Sequence, residues 1–325
     1  MEFRWIHVSD FHFTDADPYG RNVVLRALVE QVRWQREHGF QAHVIFATGD
    51  IANRGLASEY EPASVFFDNL LRAAGLEKSD LFVVPGNHDV DRRAASGLSR
   101  SLTSEDESVS YFSPSHPQYH FAKLTAFREW FDRYFHGIRT CPQRSTCHTP
   151  ELIERGGVRV GVLPMNSALF SAGDDDYSKL WIGRCNLDEA IATLASLGQL
   201  DLRIGLLHHP LDWLHDTERA NIKARLQANL DLLLRGHLHE NDVASVVDPS
   251  GGCIHLAAGA CYQTRRWPNR ALLCTASLET PSLTIPPVRY EDSPNEVWTV
   301  DPSLFPFDPD SHYAGRYPMP RRPAR

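Results

Sequence analysis

With 325 residues, 42% of them hydrophobic and 23% charged, the chain has the make-up of a soluble globular protein able to bury a sizeable core, in one large domain or two modest ones. A formal net charge of −8 sets the surface as a whole against polyanions, which excludes bulk attraction to nucleic acid or an acidic membrane and leaves room only for a local basic groove. No apolar stretch approaches the roughly 18 residues of a membrane span, and Met1-Glu2-Phe3-Arg4-Trp5 leads straight into a strand-like run with no signal-peptide pattern, so the cytoplasm is the expected compartment.

Phe3 to Val8 mixes aromatic and β-branched residues and reads as a first strand, ending in Ser9-Asp10-Phe11-His12. Asp10 and His12 stand two apart, so in an extended chain both point the same way and can reach one cation. Between residues 21 and 37, Val24, Leu25, Leu28, Val29, Val32 and Trp34 fall at near-helical spacing, and Gly39 ends the helix. Ala42 to Ala47 is a second buried strand that runs into Thr48-Gly49-Asp50, leaving Asp50 at its tip. Ser58 to Ala74 is a second amphipathic helix. An apolar run from Leu81 to Val84 follows, closed by Pro85-Gly86, and it delivers Asn87, His88 and Asp89 into a loop. Strands and helices alternating at this pitch predict parallel pairing in an α/β layered fold, with ligands gathering at the carboxyl ends of the strands.

Residues 90–157 break that rhythm. Asp91-Arg92-Arg93 leads into a Ser-rich segment, then an aromatic helical stretch from Tyr119 to Phe135, then a loop of Cys, Pro and Thr. This reads as an insertion beside the rim of the site, with Arg92 and Arg93 close enough to the Asn87–Asp89 loop to meet a phosphate. Val158 to Pro164 resumes the sheet. Asp174-Asp175-Asp176 lacks the spacing and later glutamate of a calcium loop and reads as a solvated acidic turn. After a helix over Leu187–Leu197, Leu202 to Leu207 forms a strand ending in His208-His209-Pro210. After another helix near residues 218–230, Leu232 to Arg235 runs into Gly236-His237-Leu238-His239. Ile254–Ala257 and Ala271–Leu278 read as closing strands of a second sheet. From Pro281 onward the chain holds ten of its 21 prolines, and it is expected to run extended over the body or to serve as a linker toward a protein partner.

The six cysteines show no paired C-x-x-C spacing, which argues against a disulfide framework or a four-thiolate zinc site. Cys141, Cys147 and His148 lie close in sequence, but free cysteines commonly pack as small hydrophobes. The strand tips tell more. Asp10, His12, Asp50, Asn87, His208, His237 and His239 bring carboxylates, imidazoles and an amide oxygen without thiolate, a set suited to ions such as Mn, Fe or Zn. Seven such groups are too many for one transition ion and suit two that share a bridging carboxylate.

The ordered set D-x-H, G-D, G-N-H-D, H and G-H-x-H, spread from Asp10 to His239, resembles the calcineurin-like metallophosphoesterase superfamily. That resemblance implies an αββα sandwich of two mixed β-sheets flanked by helices over residues 1–280, with the Pro-rich segment 281–325 as an extension. It further implies that Asp10, His12 and His239 hold one ion, that Asn87, His208 and His237 hold the other, and that Asp50 bridges them. In this register His208 is the ligand; a shift by one residue would put His209 there. The two ions, divalent or trivalent, would make hydroxide available to attack phosphorus, with His88 protonating the leaving oxygen, Asp89 either orienting its imidazole or serving structure, and Asn87, His88 and Arg92 touching substrate. The stretches Thr48–Gly55, Gly86–Asp89 and Leu207–Pro210 look most like class III cyclic-nucleotide phosphodiesterases and their bacterial relatives. A small phosphodiester or nucleotide is therefore the expected substrate. Two other readings stand beside it: a DNA nuclease of the same fold, for which Arg92, Arg93, Arg265 and Arg266 would supply basic contacts, and a metal-loaded interaction module with little turnover.

Overall fold

The computed structural model describes residues 1–16, 19–95, 101–113, 122–173, 176–248, 251–263 and 268–320. Strand β1 (Glu2–Val8), helix α1 (Tyr19–Glu37), strand β2 (Val44–Ala47), helix α2 (Tyr60–Ala74) and strand β3 (Leu81–Val83) form two crossovers, and the three strands pair in parallel. The helices form because their apolar residues recur on one face. Val24, Leu25, Leu28, Val29 and Val32 of α1 are buried, and Gly75 closes α2 in the left-handed conformation, where its amide reaches the Leu71 and Arg72 carbonyls. Trp34 departs from the expectation: it lies on the solvent side of α1 and stacks on His38.

The insertion then contributes α3 (Arg92–Ala95), α4 (Glu105–Tyr111) and α5 (Thr125–Tyr134). The helix expected over 119–135 is thus seen from Thr125, while the start of that stretch lies outside the described residues. Trp130 of α5 stacks on Tyr60 of α2 at 5.1 Å, so the insertion is packed against the body.

The second sheet has the order β4 (Glu151–Arg155), β5 (Val158–Pro164), β6 (Leu202–Leu206), β7 (Leu232–Arg235), β9 (Gly251–Ala257) and β8 (Asp242–Asp248). Its four central strands are parallel, β4 and β8 are antiparallel edges, and α6 (Arg184–Ser196) and α7 (Asp216–Asn229) make crossovers. Alternation along each strand divides the core into two layers. Phe3 and Trp5 of β1 meet Phe46, Phe82, Val160, Ile204, Leu234 and Ile254 between the sheets. Ile6 and Val8 point the other way, toward the helices. The protein is therefore a mixed α/β sandwich of two mixed sheets flanked by helices, as expected.

Two expectations are corrected here. The strand expected over 271–278 to close the second sheet, β10 (Arg270–Ser277), instead pairs antiparallel with β1 in the first sheet. Nor is the proline-rich segment an extended linker through its described part. It supplies β11 (Ser282–Ile285), β12 (Pro287–Glu291), β13 (Val297–Val300) and β14 (Gly315–Pro318), all joined to the first sheet. None of its described prolines lies inside a strand, Pro287 opening β12 and Pro318 closing β14. The fully buried Asp301 ties the segment down, accepting from Arg270 Nε at 2.8 Å and from the Ser303 amide. Residues 321–325 lie outside the described residues.

Candidate metal centre

Because β1, β2 and β3 are mutually parallel and β6 and β7 likewise, their carboxyl ends open on one edge of each sheet, and the loops leaving those ends meet. Ligand-type atoms of Asp10, His12, Asp50 and His239 lie within 4.8 Å of one another, and so do those of His208, His209 and His237. Asp50 links the two groups, since its Oδ2 is 3.4 Å from His208 Nε2. Asn87 Oδ1 joins the second group, 3.1 Å from His208 Nε2 and 3.0 Å from His237 Nδ1. All seven residues expected at the site are thus brought together.

The backbone here is strained. Asp10, His12, Asp50, His237 and His239 all adopt positive φ, between 48° and 76°. Such conformations cost about 1–3 kcal/mol each in non-glycine residues and persist where the surroundings over-determine them. The surroundings do so through reciprocal amide contacts between the loops. The His88 amide donates to Asp50 Oδ1 at 2.8 Å, and the His237 amide donates to Asp10 Oδ2 at 3.2 Å. Two motif glycines make those approaches possible. A Cβ on Gly86 would sit 2.2 Å from Asp50 Oδ1, and one on Gly236 would sit 1.9 Å from Ser9 Oγ.

The electrostatics favour a cation. His208 Nδ1 lies 2.6 Å from the Thr48 carbonyl, which can only accept, so Nδ1 carries the hydrogen. Its Nε2 then faces Asn87 Oδ1 and a carboxylate oxygen of Asp50, acceptors both. Burial pushes the His208 pKa down, but Asp50 and Asp10 outweigh it and raise the group to about 9. The same carboxylate charge that draws a proton to His208 attracts any cation, a metal ion included. Burial would raise Asp50, but His208 and His12 keep it well below the usual carboxylate range. Burial lowers His12 to about 4 and His237 to about 3, so both are neutral imidazoles near pH 7, the form that ligates metal. His12 Nδ1 is buried without a hydrogen-bond partner among the described residues, and Asp10 Oδ1 faces His239 Nε2 at 3.2 Å. Carboxylate oxygens and imidazole nitrogens gathered this closely, without thiolate, fit divalent cations.

His209 is set back from this junction. Its Nδ1 lies 2.8 Å from Ser167 Oγ, and its ring centroid is 4.6 Å from that of His237, whereas His208 touches both Asp50 and Asn87. His88 is half-buried, with Nδ1 2.8 Å from the Asn53 carbonyl and its ring 4.6 Å from that of His12.

Of the two roles expected for Asp89, the structure shows the structural one and no contact that orients His88 among the described residues. Its buried carboxylate accepts from the amides of Ile51, Ala52 and Gly86 at 3.2, 2.9 and 2.8 Å and from the Tyr60 hydroxyl at 3.0 Å. It clamps the Asp50 loop to the Asn87 loop, and the carbonyl of Asn53 orients His88 in its place. Asp89→Ala is expected to lower unfolding free energy by about 3–5 kcal/mol, because it leaves three amides and a hydroxyl buried without an acceptor. Denaturant unfolding checks this, and Asp89→Asn should cost less.

Arg92 sits at the start of α3, and its charge acts on Asp176. Arg265, Arg266, Asp174 and Asp175 lie outside the described residues. The Asp176 carboxylate accepts from the Ala172 and Gly173 amides, closing its own turn. Cys141, Cys147 and His148 form no metal-type group among the described residues, and His148 packs on Phe131. Thr48 and Asn53 stand in the Thr48–Gly55 stretch but act through carbonyls, which residue type does not report, and Tyr60 and Ser167 act through contacts distant in sequence.

The sequence model described as calcineurin-like phosphoesterase matches residues 3–241. An uncharacterized metallophosphoesterase-like protein of Bacillus subtilis, YydB, is 26% identical over 258 residues, 74% of this chain and 50% of its own length. The chain thus spans about half the length of that curated relative. Among solved structures, purple acid phosphatase PPD1 from yellow lupin superposes with a TM-score of 0.54 at 12% identity, over 92% of this chain and 53% of that one. The Plasmodium inner-membrane-complex anchor GAP50 superposes with a TM-score of 0.46 at 13% identity, over 92% and 88% of the two chains.

Proposed function

Since the chain belongs to the calcineurin-like phosphoesterase family, matched over residues 3–241, we propose that it hydrolyses a phosphodiester at the Asp–His–Asn cluster, with 3′,5′-cyclic nucleotides or related small nucleotide esters as substrates. The observation that carries this reading is Asp50, a buried carboxylate with one oxygen 3.4 Å from His208 while its ligand-type atoms group with Asp10, His12 and His239. In this reading Asp10, His12 and His239 hold one ion, Asn87, His208 and His237 the other, and Asp50 both. Mn, Fe and Zn all suit this donor set. When bound, such a pair supplies water that ionises near neutral pH and positive charge against the phosphoryl oxygens.

The chain's own part is to position and to move a proton. The Asn53 carbonyl fixes the hydrogen on His88 Nδ1, so Nε2 is the ring atom that can exchange a proton with a leaving oxygen. The clamp at Asp89 holds the Asp50 and Asn87 loops at their separation before substrate arrives.

The test is a panel on the full chain loaded in turn with Mn, Fe or Zn, with metal content measured. An aryl phosphodiester is expected to turn over faster than the aryl monoester, and 3′,5′-cyclic nucleotides faster than single-stranded or duplex DNA. Faster monoester turnover would reject the diester reading, faster DNA cleavage would make the protein a nuclease, and full loading without turnover would make it a metal-binding module. No helix of the described residues is long and apolar enough to cross a membrane, and we infer a cytoplasmic enzyme acting on small soluble esters.

A further inference from the structure

Beside the cluster lies an aromatic pair that ligand binding does not require. The half-buried Trp213 indole stands edge-on to the His237 ring at 4.1 Å between centroids and 5.8 Å from that of His209. Tyr177, 57% exposed, meets Trp213 edge-on at 5.8 Å. Together they lead from a candidate ligand out to solvent.

The pair is held from both sides. The Leu180 amide donates to the Trp213 carbonyl at 3.1 Å and the His215 amide to the Leu180 carbonyl at 2.8 Å, which zips the two segments together. Arg219 Nη1 donates to Ser178 Oγ and to the Asp212 carbonyl. From the insertion, the buried Lys123 Nζ donates to the Ser171 carbonyl at 2.8 Å, anchoring the base of the Tyr177 loop. Rigid aromatic surface exposed beside a polar site loses little entropy on stacking and binds flat rings of any sequence or substituent.

We propose that Trp213 and Tyr177 form a platform that stacks a planar ring, a nucleobase or an aryl group, carried by the ester whose phosphate sits at the cluster. This rests on the phosphoesterase reading and adds to it the specificity-determining residues. The insertion then acts on substrate choice indirectly, by fixing the loop that carries Tyr177.

The test compares binding of adenosine 5′-monophosphate and ribose 5-phosphate to the metal-loaded full chain by calorimetry, a pair that differs only in the base. Nitrophenyl phosphate against methyl phosphate is the aryl arm. The wild-type protein is expected to prefer the ring-bearing member of at least one pair by about 5- to 100-fold. Which pair shows the preference identifies the ring. Trp213→Ala should bring that ratio near one, Trp213→Phe should keep most of it, and Tyr177→Ala, a surface change that leaves the packing on His237 alone, should lower it in part. A wild-type ratio near one in both pairs would overturn the platform. So would equal weakening of both members in Trp213→Ala and no change of ratio in Tyr177→Ala, the pattern of an indole that only packs on His237. Should the loaded protein cleave no phosphoester yet keep a ratio that these variants abolish, the platform stands and the proposed reaction falls.

Discussion

Asp50→Asn is expected to lower turnover of a phosphodiester by about 10³-fold or more, and to leave the protein short of at least one of its metal ions. The substitution is nearly isosteric, so the Cβ environment and the positive φ of 52° are unchanged, and an amide oxygen can still accept from the His88 amide as Oδ1 now does at 2.8 Å. What changes is charge and polarity. The oxygen now 3.4 Å from His208 Nε2 becomes an NH₂ group, which repels a cation where the carboxylate attracts one, and the group shared between the two ligand sets becomes neutral. Elemental analysis of ions per chain and steady-state turnover check this together. A variant that retains both ions and near wild-type turnover would refute a bridging role.

His88→Ala is expected to behave differently. It should lower turnover of an ester with an alkoxide leaving group by about 10²–10⁴-fold while the metal content stays at the wild-type level. Metal should stay because the contact between this residue and Asp50 comes from the backbone amide, which alanine keeps. With a nitrophenolate leaving group, stable as an anion without a proton, the loss should shrink markedly. Comparing the two esters in wild type and variant therefore separates proton donation from phosphate binding. Equal losses on both esters would assign His88 to binding alone.

Motif and fold were legible to different depths. Runs rich in aliphatic, aromatic and β-branched residues at Phe3–Val8, Val158–Pro164 and Leu232–Arg235 announced strands to within a residue or so, because a strand buried on most of its length favours such side chains. The polar groups that end those runs stood out for the same reason. Strands β11 to β14 did not announce themselves: they are short, antiparallel and flanked by prolines, so their local pattern matches an extended tail. The placement of β10 beside β1 was equally silent, since alternation reports that a strand is half or fully buried and says nothing about which neighbour buries it.

At the site, residue types and their order along the chain already specified a shared destination for Asp10, His12, Asp50, Asn87, His208, His237 and His239, because carboxylates and imidazoles at successive buried strand ends have few other uses. The choice between adjacent candidates waited on three dimensions. Only packing shows that His208 abuts Asp50 while His209 turns to Ser167, and that Asp89 serves four donors rather than His88. Only packing brings Trp213 and Tyr177, 36 residues apart, into edge-on contact. Sequence alone reports how each segment treats water, a local property; which buried donor meets which acceptor depends on loops distant along the chain closing on one another, and that is settled when the two sheets pack.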